Sequence, residues 1–278
     1  VRSKEDSPQA GHCRPNANDG APRAIGPYLL ALALMTVAWL AAGSAMAQAP
    51  GAKPRSSLGV AVVALKSPYA GYGTDTVAAP IISYEGRRFH LRGGSIGYKV
   101  FDTEQTEVSL MASPYMMRFK RKDSDDLQLR QLSNRGFSAM AGVALRHNAS
   151  WGLVQTNVQA EVSGHGGGIA ADAKYAYPLP TGRVTLMPGI GVNYAGSALN
   201  DYYFGISDAE ARRSGLARYR AGSGVSPYID LTAVMPLGTH WTATASLRRS
   251  VLSDAIKDSP MTRGDHMDAA ALSLSYGF

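Results

Sequence analysis

Beyond residue 47 the histidines are His90, His147, His165, His240 and His266, the side chains best suited to act as a general base near neutral pH. None lies in a His-Glu-x-x-His pair, and no Gly-x-Ser-x-Gly elbow presents a nucleophilic serine. Asp265-His266 with Ser253 or Ser259 nearby has the residue types of an orienting acid, a base and a nucleophile. Polar residues at the rim of a loop explain that grouping more simply. Asp123, Asp125 and Asp126 with Ser124 offer oxygen ligands that suit Ca²⁺ or a cation bridge to lipopolysaccharide, but their spacing is not that of a binding loop. A solvated acidic patch is expected there, and an exposed basic one at Lys120, Arg121 and Lys122. No catalytic, cofactor-binding or metal-binding residue is therefore assigned, and the expectation is a protein that is not an enzyme.

The elements that would have to position such groups begin with a segment expected to be removed. Arg23 precedes a short apolar run, Tyr28 to Leu40, followed by Ala45-Met46-Ala47, a small-x-small cleavage site before Gln48. The run falls short of the roughly twenty residues of a spanning helix. Residues 1–47 thus read as a polar N-terminal extension, from an upstream start, plus a cleaved signal peptide, with cleavage between Ala47 and Gln48. Residues 48–278 read as one β-barrel. Removal takes away Cys13, the single cysteine, so the mature part offers no disulfide and no thiolate ligand. It also lowers the net charge from +7 to +6. That surplus is scattered among Gly, Ser and Tyr without a basic helix, so nucleic acid is not an expected partner.

The mature chain alternates with period two. In Trp241 to Ser250, Trp241, Ala243, Ala245 and Leu247 oppose Thr242, Thr244, Ser246 and Arg248. Gly152 to Ser163 and Arg183 to Tyr194 alternate likewise, and so do Leu58 to Leu65, Ala78 to Tyr84, Arg88 to Phe101, Glu107 to Arg118, Phe137 to His147, Gly168 to Leu179, Val225 to Leu237 and His266 to Phe278. Most are longer than the five or six residues of an ordinary strand and match a tilted transmembrane one. Short connections at Asn148-Ala149-Ser150, Pro180-Thr181-Gly182 and Gly238-Thr239-His240 alternate with longer ones, Lys120 to Arg135, Ser163 to Gly167, Ala195 to Gly224 and Ser253 to Asp265. The expected fold is an all-β, antiparallel transmembrane β-barrel with short periplasmic turns and long extracellular loops. Both termini of such a barrel lie on the same side, so the strand number is even: twelve if Arg88 to Phe101 folds at Gly93-Gly94, with ten as the alternative. A soluble β-sandwich would alternate too, but strand length and loop asymmetry favour the membrane.

Within Ala195 to Gly224, Ser207 and Glu210 have capping-box spacing ahead of a short helix ended by Gly215. An extracellular lid is expected there, carried by Tyr202, Tyr203, Glu210 and Arg213. Gln155, Glu161, Tyr228, Asp230 and Arg248 fall on the wet faces of their strands and are expected to line a narrow lumen. At the end of the chain, Leu272, Leu274, Tyr276 and Phe278 alternate with small residues, so Tyr276 and Phe278 are expected in the aromatic girdle.

Several blocks resemble one family. Ser67 to Asp75 ("SPYAGYGTD"), Pro80 to Gly86 ("PIISYEG"), Lys122 to Arg135, Pro188 to Tyr194 ("PGIGVNY"), Asn200 to Tyr219 ("NDYYFGISDAEARRSGLARY") and Leu252 to Met261 resemble the MltA-interacting protein (MipA)/OmpV family of outer-membrane proteins. Ile206 stands where valine is common in the family, and Phe204 where a third tyrosine is. The resemblance implies a barrel in the bacterial outer membrane, in contact with its lipid and lipopolysaccharide. It implies a scaffold joining a lytic transglycosylase to a peptidoglycan synthase, with a narrow solute channel or a surface adhesin as alternatives. It also implies that the terminal aromatic, with Tyr276, is the signal read by the barrel assembly machinery.

Overall fold

The structure, a computed structural model, describes residues 55–278. The expected cleavage site at Ala47 and Gln48 and the segment before it lie outside the described residues. One antiparallel sheet closes on itself. In chain order the strands are β1 (Arg55–Lys66), β2 (Thr74–Glu85), β3 (Phe89–Arg92), β4 (Ser95–Asp102), β5 (Thr106–Tyr115), β6 (Ser138–Ala149), β7 (Gly152–Glu161), β8 (Ile169–Ala176), β9 (Leu179–Thr181), β10 (Val184–Ala195), β11 (Gly224–Leu237), β12 (Trp241–Val251) and β13 (His266–Gly277). Neighbours in sequence pair, β13 returns to β1, and β10 pairs with β11. β8 and β9 occupy one wall position against β10, interrupted at Tyr177-Pro178, where proline cannot donate to the ladder. The barrel therefore has twelve walls.

The hairpin at Gly93-Gly94 supplies the twelfth. Both glycines have positive φ, 54° and 84°, which the tight turn joining β3 to β4 requires and which a side chain would resist. The last strand is held by the first over Ser57↔Gly277 to Leu65↔Ala269, and the Phe278 N–H donates to the Ser56 carbonyl at 2.9 Å.

Which face is apolar decides the solvent. Val60, Ile96, Ile190, Ile229, Leu247 and Leu272 all point outward and are at least 60% exposed. Water would not tolerate a continuous band of that kind, whereas hydrocarbon favours it. At the short-turn end the band finishes in ring pairs: Phe89 with Tyr98 (5.1 Å between centroids), Trp151 with Tyr175 (6.3 Å), Trp241 with Tyr276 (5.2 Å) and Tyr276 with Phe278 (5.3 Å). Such a girdle marks the membrane–water boundary. No helix among the described residues is long and apolar enough to cross a membrane, and the strands cross instead.

Candidate functional site

Barrel register gathers charge at the short-turn end of the lumen. Arg92, the last residue of β3, faces inward between Glu85 of β2 and Glu107 of β5. Its guanidinium donates to both Glu107 carboxylate oxygens at 2.7 Å and to Glu85 Oε2 at 2.8 Å, with a further bond from Nε to Glu85. Lys99 Nζ lies 3.4 Å from Glu107, 3.5 Å from Glu85 and 3.4 Å from Asp102. Arg146 faces Glu107 across β5 and β6. Gly97 leaves room for the His90 ring: a Cβ there would sit 2.1 Å from His90 Nε2. Three cations and three carboxylates from β2 to β6 thus line this end with no net charge, a buried network in which removing one partner strands another.

A second network crosses the middle. Lys174 Nζ pairs with Asp230 Oδ2 at 2.6 Å, and the Tyr228 hydroxyl donates to Asp172 Oδ2 at 3.0 Å. Arg248 lies over the Tyr228 ring at 4.1 Å. Of the residues expected in the lumen, Tyr228, Asp230 and Arg248 come together here, and Gln155 lies beside them opposite Lys174. Glu161 does not join them. At the last position of β7 its carboxylate accepts from the Ser163, His165 and Gly167 N–H groups at 2.6, 3.1 and 3.2 Å, so it folds the adjacent loop. The wet face is also incomplete. Ala61, Val63, Ala79, Ile81 and Ala271 form a buried apolar cluster on the inner faces of β1, β2 and β13.

The long-loop end is capped by a small hydrophobic core of its own. Residues from four loops meet in it: Tyr69 and Ala70; Phe119, Leu129 and Leu132; Leu199, Tyr203, Phe204 and Ile206; and Ile256 and Met261. Two helices supply its centre, α1 (Ser197–Phe204) and α2 (Asp208–Ser214). Ser207 and Glu210 make both halves of the capping box, and Gly215 ends α2 with φ 73°. Tyr203 is fully buried; its hydroxyl lies 2.9 Å from Ser138 Oγ and donates to the Gly136 carbonyl at 3.0 Å. Tyr202 accepts from the Gly136 N–H at 3.0 Å and stacks on His165. Glu210 Oε1 accepts from Arg135 Nη2 at 2.8 Å and the Ser133 N–H at 3.0 Å. Burial pushes this carboxyl up, but the Ser133 and Ser207 N–H groups and the Arg135 guanidinium outweigh it and hold it at about 2. Arg213 donates to the Gln131 carbonyl and to Ser133 Oγ. The four residues expected in the lid thus tie Ala195 to Gly224 to the loop of residues 116–137.

Two of the groups that could do chemistry, Ser259 and Asp126, serve structure. His266 Nδ1 is 2.7 Å from Asp265, but the Ser259 hydroxyl donates to the Phe204 carbonyl at 2.7 Å, inside the cap. Asp126 accepts from the Gln128 and Leu129 N–H groups and shapes its own turn. Among the described residues no cluster of three or more His, Cys, Asp or Glu could hold a metal ion.

This capped barrel has relatives. YiaT of Escherichia coli (strain K12) is 40% identical over 205 residues, 74% of this chain and 83% of that protein. The MltA-interacting protein of the same organism is 33% identical over 250 residues, 90% of this chain and 98% of that protein. Outer membrane protein OmpV of Vibrio cholerae is 28% identical over 127 residues, covering 46% and 49%. Among solved structures, the COG4313 outer membrane channel from Pseudomonas putida F1 superposes with a TM-score of 0.47 at 9% identity, over 84% of this chain and 98% of that one. The profile described as MltA-interacting protein MipA matches residues 58–278, virtually all of the barrel, and its members are outer-membrane proteins: this chain belongs to that family and resides in the bacterial outer membrane.

Proposed function

We propose that the protein is a non-enzymatic outer-membrane scaffold whose periplasmic turns dock peptidoglycan-remodelling proteins, a lytic transglycosylase and a peptidoglycan synthase. The observation that carries this is the likeness to the MltA-interacting protein along 98% of that protein's length. Ion pairs lining the lumen and a packed core covering its long-loop end support a scaffold over a solute channel. The turn-side surface is small, yet it is basic: Arg87, Arg88 and Arg183 stand exposed there, with Glu104 the acid among the turn residues. An acidic face on the partner fits it, and the charge complementarity speeds encounter and fixes register. Tyr276 and Phe278 serve as the signal for the barrel assembly machinery.

Cross-linked pull-downs from envelopes test this proposal. The unaltered protein is expected to recover a murein hydrolase or synthase, and the R87E/R88E/R183E variant to lose it at equal outer-membrane abundance. Recovery of neither enzyme by the unaltered protein would refute it.

A further inference from the structure

The barrel wall is incomplete on one side. β2 runs from Thr74 to Glu85 against β1, but on its other edge it meets β3 only at Tyr84↔Leu91 and Glu85↔His90. The β3–β4 hairpin turns back at Gly93-Gly94, and β4 reaches β5 no higher than Ile96↔Ala112. Above that level Thr74 to Ser83 has no strand beside it among the described residues, a free edge of roughly 30 Å at about 3.3 Å per residue. β5 is likewise free on this side from Ser113 to Tyr115. The lintel is made by loops: Arg118 Nη2 lies 3.9 Å from Asp75, and the Tyr72 hydroxyl both accepts from the Lys120 N–H at 2.8 Å and donates to its carbonyl at 2.6 Å.

An unpaired edge facing lipid is costly and invites a foreign strand. The sequence blunts both sides of this one. The Gly86 N–H donates to the Phe89 carbonyl, so the even-numbered residues of β2 direct their backbone groups toward the gap. Pro80 is among them. On β5, Pro114 opposes Ala139, whose carbonyl accepts from Val162 on the far side, so Pro114 also turns its backbone toward the gap. Each flanking strand thus carries a residue with no N–H where a recruited strand would need one. The gap is built to stay open.

Behind it lies a chamber of about 260 Å³ beneath the cap, bounded on both sides of the gap by Val77 of β2 and by Pro114, Met116 and Met117. Its walls are predominantly apolar, and two adjacent methionines give its edge an adaptable lining. At its mouth stands Arg118, whose side chain is 13% exposed and whose Nη1 is buried without a hydrogen-bond partner among the described residues. Lys66 and Arg248 also line the chamber, where Asp75 is the one carboxylate among its lining residues.

We propose that this chamber binds a long-chain amphiphile with an anionic head: the chain enters laterally between β2 and β5, and a carboxylate or phosphate pairs with Arg118. Either a free fatty acid or an acylated lipid of the outer leaflet has that chemistry. A second protein strand on the β2 edge is disfavoured by Pro80 and Pro114.

The test is native mass spectrometry and fluorescence displacement on the folded full barrel in detergent, with oleate, lipid A and oleyl alcohol as probes, folding being checked by heat-modifiable gel mobility. One or both anionic probes should bind one-to-one, and whichever binds names the source. R118Q should weaken the anionic probe about tenfold while leaving oleyl alcohol unchanged, and V77W, which fills the chamber, should abolish both. Absence of binding by both anionic probes, binding indifferent to V77W and R118Q together, or a dimer cross-linked through the β2 edge would each overturn the proposal. None of these readouts depends on a murein enzyme, so this proposal and the scaffold role fail separately.

Discussion

Replacing Glu210 by glutamine probes how the cap is held. The native carboxylate is 5% exposed and serves the Ser133 N–H, the Ser207 N–H and hydroxyl, and Arg135, itself 8% exposed. Glutamine keeps one acceptor oxygen but turns an amide donor toward groups that are already donors. It also leaves the Arg135 charge answered only by the Ser133 and Gly205 carbonyls. Breaking a buried pair costs about 3–5 kcal/mol, and the retained oxygen places the loss near the lower end, about 3 kcal/mol. The barrel ladders do not run through this residue, so the loss falls on local opening of the cap. Hydrogen exchange at the Ile206, Ala211 and Gly215 amides, each bonded within the cap, should accelerate roughly 100-fold, while β12 and β13 amides stay unchanged. Equal protection in Glu210→Gln and the unaltered protein would refute this. The same carboxyl sets a pH dependence. Its folded pKa lies below the ordinary 4.5, so its contribution is present in full above that value and is lost as pH falls toward 2. Cap protection should therefore be flat from pH 8 to 5 and decline below about 4.5.

Other expectations follow from the same contacts. Leu132→Ala, at a fully buried position of the cap core, should cost about 2–5 kcal/mol of cap stability and expose residues 116–137 to added protease on intact cells, with the barrel remaining intact. Glu107→Gln leaves Arg92 and Lys99 short of a carboxylate inside the wall and should lower the temperature of the heat-modifiable gel shift, corresponding to about 3–5 kcal/mol. Deleting Phe278 removes a girdle ring and the bond to Ser56, and should reduce outer-membrane levels in fractionated cells; normal levels would count against an assembly role. In planar bilayers the intact protein should give no steady conductance, because a packed core covers the long-loop end of the lumen.

Much of this was legible in residue patterns. Period-two alternation marks β7, β10 and β12 because each has one apolar face, and Gly93-Gly94 marks the hairpin that makes the wall count twelve. The capping box at Ser207 and Glu210 is readable because it is local. The apolar stretch of the lumen was hidden: in Val60-Ala61-Val62-Val63 both faces are apolar, so alternation cannot say that Ala61 and Val63 point inward. The charge cluster of Arg92, Lys99, Glu85 and Glu107 draws on four strands, and only their register brings the charges together. The sequence pattern points to one loop of the cap although four build it; Phe119, Leu129 and Leu132, apolar residues in an otherwise charged loop, are the signal for the rest. The gap beside β2 follows from the shortness of β3, which no local pattern announced, although Pro80 and Pro114 inside strands hinted at free edges.

Docking through the periplasmic turns is tested most directly by a photo-cross-linking amino acid placed in living cells at Arg87 or Arg183, with Arg212 on the outer cap as control. Cross-links from the two turn positions to a murein hydrolase or synthase, and none from position 212, are predicted. Turn positions that capture no murein enzyme at normal outer-membrane abundance would contradict the scaffold role.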